Sequence, residues 1–147
     1  MKMCYMVYIS TDCADDLAAQ TSDWVRFEKP SIESQSPCPR ILKYQHKWFV
    51  GSKSGCSCTF RHLCRESVKL GFGQPQDWFP EDAEAIDATK RLYDILKEIV
   101  QRGFQVELLD CWSGEEDKDA LTLHVSLSRI PADHFRMFEG HLFTLEQ

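Results

Sequence analysis

Met3 to Ile9 is apolar at both odd and even positions and rich in Tyr, Val and Ile. That pattern predicts a central strand covered on both faces. Asp15 to Gln20 predicts one or two helical turns. Trp24 to Glu28 alternates apolar and charged side chains, which predicts an edge strand. The segment 30–40, PSIESQSPCPR, reads as a loop with Cys38 between two of its prolines. Ile41 to Val50 predicts a further strand, strongest at Trp48, Phe49 and Val50, and GSKSG at 51–55 a turn.

The clearest periodicity runs from Pro80 to Arg102. Pro80 suits a first helical position, and Glu81, Asp82 and Glu84 place negative charge where the helix dipole favours it. Ile86, Leu92, Tyr93, Leu96, Ile99 and Val100 recur at helical spacing, and Gly103 supplies a stop. Trp78 and Phe79 read as a staple against the first turns. Two strands should follow. Phe104, Val106 and Leu108 alternate with Gln105 and Glu107, and Leu121, Leu123, Val125 and Leu127 alternate with polar residues. The short polar connection 113–120 predicts that they pair antiparallel. Ala132 to Glu139 reads as a final helix. The sum is one α+β domain over 1–147, in which a mixed or antiparallel sheet of four to six strands packs on the helix at about 80–102.

A chain of 147 residues can bury a core without metal or disulfide support. Its net charge of -6 argues against general nucleic-acid binding. The first apolar run is short for a signal peptide and no stretch approaches a membrane span, so a soluble, cytoplasmic protein is expected. The cysteines number seven. An odd count without a secretion signal argues against a disulfide framework and leaves thiols, metal ligands or transient redox partners.

Three of them fall in GCSCTFRHLC, residues 55–64. On a strand, Cys56, Cys58, Phe60, His62 and Cys64 share one face. On a helix starting near Thr59, Phe60, Leu63, Cys64, Ser67 and Val68 form a core stripe, while Arg61, His62, Arg65, Glu66 and Lys69 point outward. A strand giving way to a helix near Phe60 satisfies both patterns. Such a helix would aim N–H groups at Cys56 and Cys58, and Lys53 and Arg61 would add positive charge, favouring thiolates. The leading expectation is therefore a small thiol protein, active in redox exchange or reactive-cysteine sensing, with Cys56 and Cys58 as the reacting pair. The C-x-C spacing differs from the C-x-x-C of thioredoxin-like sites.

An alternative is a zinc- or iron-binding module using Cys56, Cys58 and His62 with a distant cysteine, Cys13 or Cys111. A fully extended strand would hold Cys56 and Cys64 roughly 26 Å apart, at ~3.3 Å per residue, so a bend or ligands from elsewhere are required. A third reading is an interaction protein, with a protein partner or as a homo-oligomer, whose cysteines are only core. Cys4 and Cys64 lie in apolar patterns and read as buried thiols. Lys53, Ser54 and Gly55 are an anion-binding candidate, although a plain turn fits the composition better and the P-loop pattern is absent. Apart from His62 the scattered histidines carry no assigned role, and GEEDKD at 114–119 reads as a solvated loop.

MCYMVYIST, GSKSGCSCTFRHL and GQPQDWFPEDAEAIDATKRLY resemble a group of short bacterial proteins with no assigned function. The resemblance covers most of the chain. It implies a bacterial cytosolic protein and carries no activity, ligand or catalytic residue.

Overall fold

The computed structural model describes residues 4–30, 38–53, 55–75 and 82–147. Strand β1 (Tyr5–Thr11) leads into a 3-10 turn at Leu17–Gln20, whose Ala18 N–H is capped by the Asp16 carboxylate. Then come β2 (Val25–Glu28), β3 (His46–Ser52), the two-residue β4 (His62–Leu63) and a second 3-10 turn at Arg65–Leu70. Helix α1 (Ala83–Gln101) is followed by β5 (Val106–Trp112), β6 (Leu121–Ser126), β7 (Met137–Phe138) and β8 (His141–Glu146).

Six strands form one mixed sheet in the order β2-β3-β1-β5-β8-β6, and only β6 and β8 run parallel. β1 sits between β3 and β5 and is apolar on both parities because both its faces are covered: Val7 and Ile9 lie in the main core, and Tyr8 and Met6 in a second cluster. β2 is an edge strand with Val25 and Phe27 buried and Arg26 and Glu28 exposed. The α+β class, the mixed sheet and the single long helix match the expectation.

Val7, Ile9, Val25, Phe27, Trp48, Val50, Val106, Leu108 and Phe143 bury the helix-facing side of the sheet against α1. Asp82 caps α1 by accepting the Glu84 N–H, and Gly103 at φ 94° takes the left-handed conformation that ends it. Ala85, Ala88, Leu92, Tyr93, Leu96, Ile99 and Val100 form its buried stripe, while Ile86 lies at the margin. Pro80 and Glu81, with the Trp78–Phe79 staple, lie outside the described residues. Leu96 is fully buried. Leu96→Ala should destabilise the protein by about 2–5 kcal/mol in denaturant unfolding, depending on how far the cavity collapses.

Several expectations are corrected. The strands at 104–112 and 121–128 do not pair, because β8 lies between β5 and β6. β8 is the better neighbour: Leu142, Phe143 and Leu145 are buried, whereas Leu121 on β6 is 66% exposed. β6 is therefore an edge strand; the alternation from Leu121 to Leu127 still holds, with Val125 and Leu127 buried and Leu123 packed against the core, while Leu121 at its start is left exposed. Glu107 is buried, accepting from the Ser10 hydroxyl and the Lys43 N–H, so the polar parity of β5 is covered too. Ala132–Glu139 is not a helix; Phe135, Met137 and Phe138 enter the core from a turn and from β7. No helix starts near Thr59 either. Phe60 and Leu63 reach the core from an extended segment, and the turns that follow are the 3-10 stretch at Arg65–Leu70.

A candidate thiol metal centre

At the end of β3 hydrogen bonds tie Ser52 to Gly55 and Cys56. The Ser52 N–H and hydroxyl both donate to the Cys56 carbonyl, and the Gly55 N–H donates back to the Ser52 carbonyl. Gly55 stands at φ 88°, and a Cβ on Gly51 would meet the Gly55 carbonyl at 2.8 Å, so both glycines are needed for the turn. Ser57, fully buried, then wedges between β1 and β3. Its hydroxyl donates to the Val50 carbonyl at 2.6 Å and accepts the Val7 N–H at 2.9 Å. Where the β1–β3 ladder ends at Val7–Val50, Ser57 thus takes over the pairing.

This loop carries Cys56 and Cys58 to the head of β1. There Cys4 is fixed by its carbonyl, which accepts the Ser113 N–H. The sulfurs of Cys4, Cys56 and Cys58 lie within 4.8 Å of one another. Cys58 is an exposed residue, Cys4 and Cys56 are half-buried, and all three are free thiols. The Cys58 sulfur nonetheless lies among protein groups. Desolvation, together with its hydrogen bonds to the Cys56 and Cys4 thiols, pushes the Cys58 thiol up to about 12, against the smaller opposing pull of the Tyr5 backbone N–H.

Beneath the thiols lies a polar pair in an aromatic slot. His62 Nδ1 is 2.7 Å from Asp110 Oδ2, and His62 Nε2 is 2.7 Å from the Ser57 carbonyl. Their side chains are 3% and 0% exposed. The His62 ring stacks on Tyr5 at 3.9 Å and 4°, and Tyr5 stacks in turn on Trp112 at 4.3 Å. Burial raises the Asp110 pKa, opposed by the His62 charge and hydrogen bond. Burial is also the first cause holding the Tyr5 phenol well above its ordinary range, followed by the Asp110 and Glu139 carboxylates.

Cys56 and Cys58 are thus brought together, but their expected companions are not. Cys13 is buried in the main core just beyond the far end of β1, on the order of 25–30 Å from Cys4 along an extended strand. His62 spends both ring nitrogens on Asp110 and Ser57. Cys111 is buried in a second cluster on the other face of the sheet, its thiol raised by burial and by Asp110. Cys4 is not a core thiol but the third member of the cluster, and Cys64 is half-buried beside the Ser67 hydroxyl at 3.4 Å. Sequence reasoning missed Cys4 because an apolar run conceals a strand end.

The expected positive charge is also elsewhere. Arg61 does not point outward: it is 1% exposed, with its guanidinium on the carbonyls of Gly73, Asp133 and Phe135. Lys53 lies 3.9 Å from Glu84 and over the Trp24 ring. With the Gly55 N–H turned inward, Lys53 and Gly55 do not converge on an anion, and Ser54 lies outside the described residues.

Cys58 should accordingly react slowly despite its exposure. At pH 8 a thiol with pKa about 12 has roughly 10³ times less thiolate than one at the ordinary 9.0. The higher intrinsic nucleophilicity of its thiolate returns about 20-fold, leaving a rate about 40-fold below an ordinary thiol towards a disulfide reagent. Stopped-flow labelling of metal-free protein, with the modified cysteine mapped by mass spectrometry, measures it. A rate equal to that of a free thiol would contradict the packing described. The chain matches no protein-family model, no curated protein and no solved structure.

Proposed function

We propose that this protein is a metal-binding module whose centre is the thiol cluster of Cys4, Cys56 and Cys58, taking a thiophilic ion of the zinc class. The observation that carries this reading is the convergence of three sulfurs within 4.8 Å from two separate segments of the chain. At a Zn–S bond of ~2.3 Å, tetrahedral ligation places sulfurs about 3.8 Å apart, so modest side-chain rotation closes the site. All-thiolate donors suit zinc, copper(I) or iron–sulfur chemistry rather than magnesium or calcium. The raised Cys58 pKa fits the same reading. The Cys58 thiol, packed against the other two without a cation, resists ionisation, and a divalent ion reverses that cost by displacing its proton. The exposure of Cys58 leaves a side of the cluster open to solvent, where water or an exogenous ligand can complete the coordination.

Redox exchange or reactive-cysteine sensing by the same thiols is the second reading. The exposure of Cys58 beside two other sulfurs favours it, and the high pKa of Cys58 counts against it. Elemental analysis of tag-free protein, followed by cobalt(II) titration of the stripped form, separates the two. The metal reading expects a thiolate-to-cobalt charge-transfer band at one equivalent and release of up to about three protons per ion at neutral pH, with affinity rising as pH rises. Absence of both, with a disulfide formed under mild oxidation, would favour the redox reading.

A further inference from the structure

Resting on the metal-site reading, we propose that His62 and Asp110 are positioning residues for the thiol cluster, acting through the Ser57 carbonyl and the Tyr5 ring. A carbonyl only accepts, so His62 Nε2 carries a proton and donates it to Ser57 at 2.7 Å. One further proton lies in the 2.7 Å bond between His62 Nδ1 and Asp110 Oδ2, on either partner. In both placements Nε2–H remains aimed at Ser57, so Asp110 fixes the tautomer and the plane of the ring.

Both targets of that ring adjoin ligands. Ser57 lies between Cys56 and Cys58, and its hydroxyl is already held by Val7 and Val50. Tyr5 follows Cys4, stacks on His62 at 3.9 Å, and turns its backbone N–H to the Cys58 sulfur. One imidazole thus touches both chain segments that supply the thiols. The arrangement carries an energetic cost, since Asp110 Oδ1 is buried without a hydrogen-bond partner among the described residues. Replacing a buried charged pair by apolar residues of similar volume is often neutral or stabilising, so stability by itself is a weak account of the polar pair.

The test compares stripped wild-type protein with three variants: Asp110→Asn, His62→Gln and the double variant His62→Phe with Asp110→Leu. Asparagine still donates to Nδ1 and keeps Nε2–H on Ser57, so cobalt(II) affinity should stay within about threefold. The double variant keeps a stacked ring but no donor; its affinity should fall about 10–100-fold, the usual effect of removing outer-shell partners, with a shifted charge-transfer band. If that variant does not fold, His62→Gln serves. It still donates to Asp110 but lacks the rigid ring, and a loss of more than fivefold is expected. Unchanged affinity and band in the double variant, or an equal loss in Asp110→Asn, would overturn the proposal. Bridging by a trivalent arylarsenical, which needs adjacent thiols but no native metal, runs in parallel. If the wild type shows no cobalt band but is bridged, and the double variant is bridged tenfold more weakly, the metal reading fails while the positioning role stands.

Discussion

Replacing Cys4 with serine should weaken metal binding by roughly 10²–10³-fold, as much as Cys56→Ser or Cys58→Ser. Structural zinc sites of four ligands bind with ~10–16 kcal/mol, or about 2.5–4 kcal/mol per ligand, and serine offers a far poorer donor than a thiolate. Cys13→Ser should leave affinity unchanged while costing stability, because it puts a hydroxyl into the main core, where Cys13 is 1% exposed. The contrast is decisive between two ligand sets. The set read from sequence pairs Cys56 and Cys58 with His62 and Cys13; the sulfurs that converge are those of Cys4, Cys56 and Cys58. Competition against a chromophoric chelator measures all four variants on one scale. Equal weakening by Cys13→Ser would mean that the cluster is not the binding site.

What could be read in advance was what local periodicity encodes. Helix α1 announces itself by its stripe, its acidic first turn and Gly103, and the covered strand β1 by apolar residues on both parities. What could not be read depends on contacts distant along the chain. Phe60, Leu63, Ser67 and Val68 have helical spacing, yet Phe60 and Leu63 are drawn into the core in extended form. The segment is tied by the Arg61 N–H to Thr89 on α1 and by the Arg61 carbonyl to the Met137 N–H. The two-residue β4–β7 ladder replaces helical bonding there. Likewise nothing local places β8 between β5 and β6. The C-x-C pair was legible as chemistry, but its partner Cys4, 52 residues before Cys56, and the Asp110 beneath His62 were not.

Arg61 is where local reading errs most, and Arg61→Ala should cost about 3–5 kcal/mol, lowering the melting temperature by roughly 10 °C. On the helical reading of this segment Arg61 points to solvent. In the fold it is the largest of the fully buried side chains among the described residues. Its Nη1 donates to the Asp133 carbonyl at 2.6 Å and the Phe135 carbonyl at 3.2 Å, and Nη2 to the Gly73 carbonyl at 2.8 Å. These carbonyls belong to two loop segments, also joined by the Gly73 N–H to the His134 carbonyl, and the planar fork ties both at once. Alanine strands the three acceptors in a water-poor site, each worth about 1–3 kcal/mol when unsatisfied, less whatever water recovers. Lysine should recover only part, because one ammonium cannot match the fork. Urea unfolding of the three proteins gives the ranking wild type, Arg61→Lys, Arg61→Ala. A loss below ~1 kcal/mol for alanine would mean that water enters and replaces the guanidinium. Because Arg61 directly precedes His62, the same variant should also speed labelling of Cys56 and Cys58 as the loop that aligns them loosens.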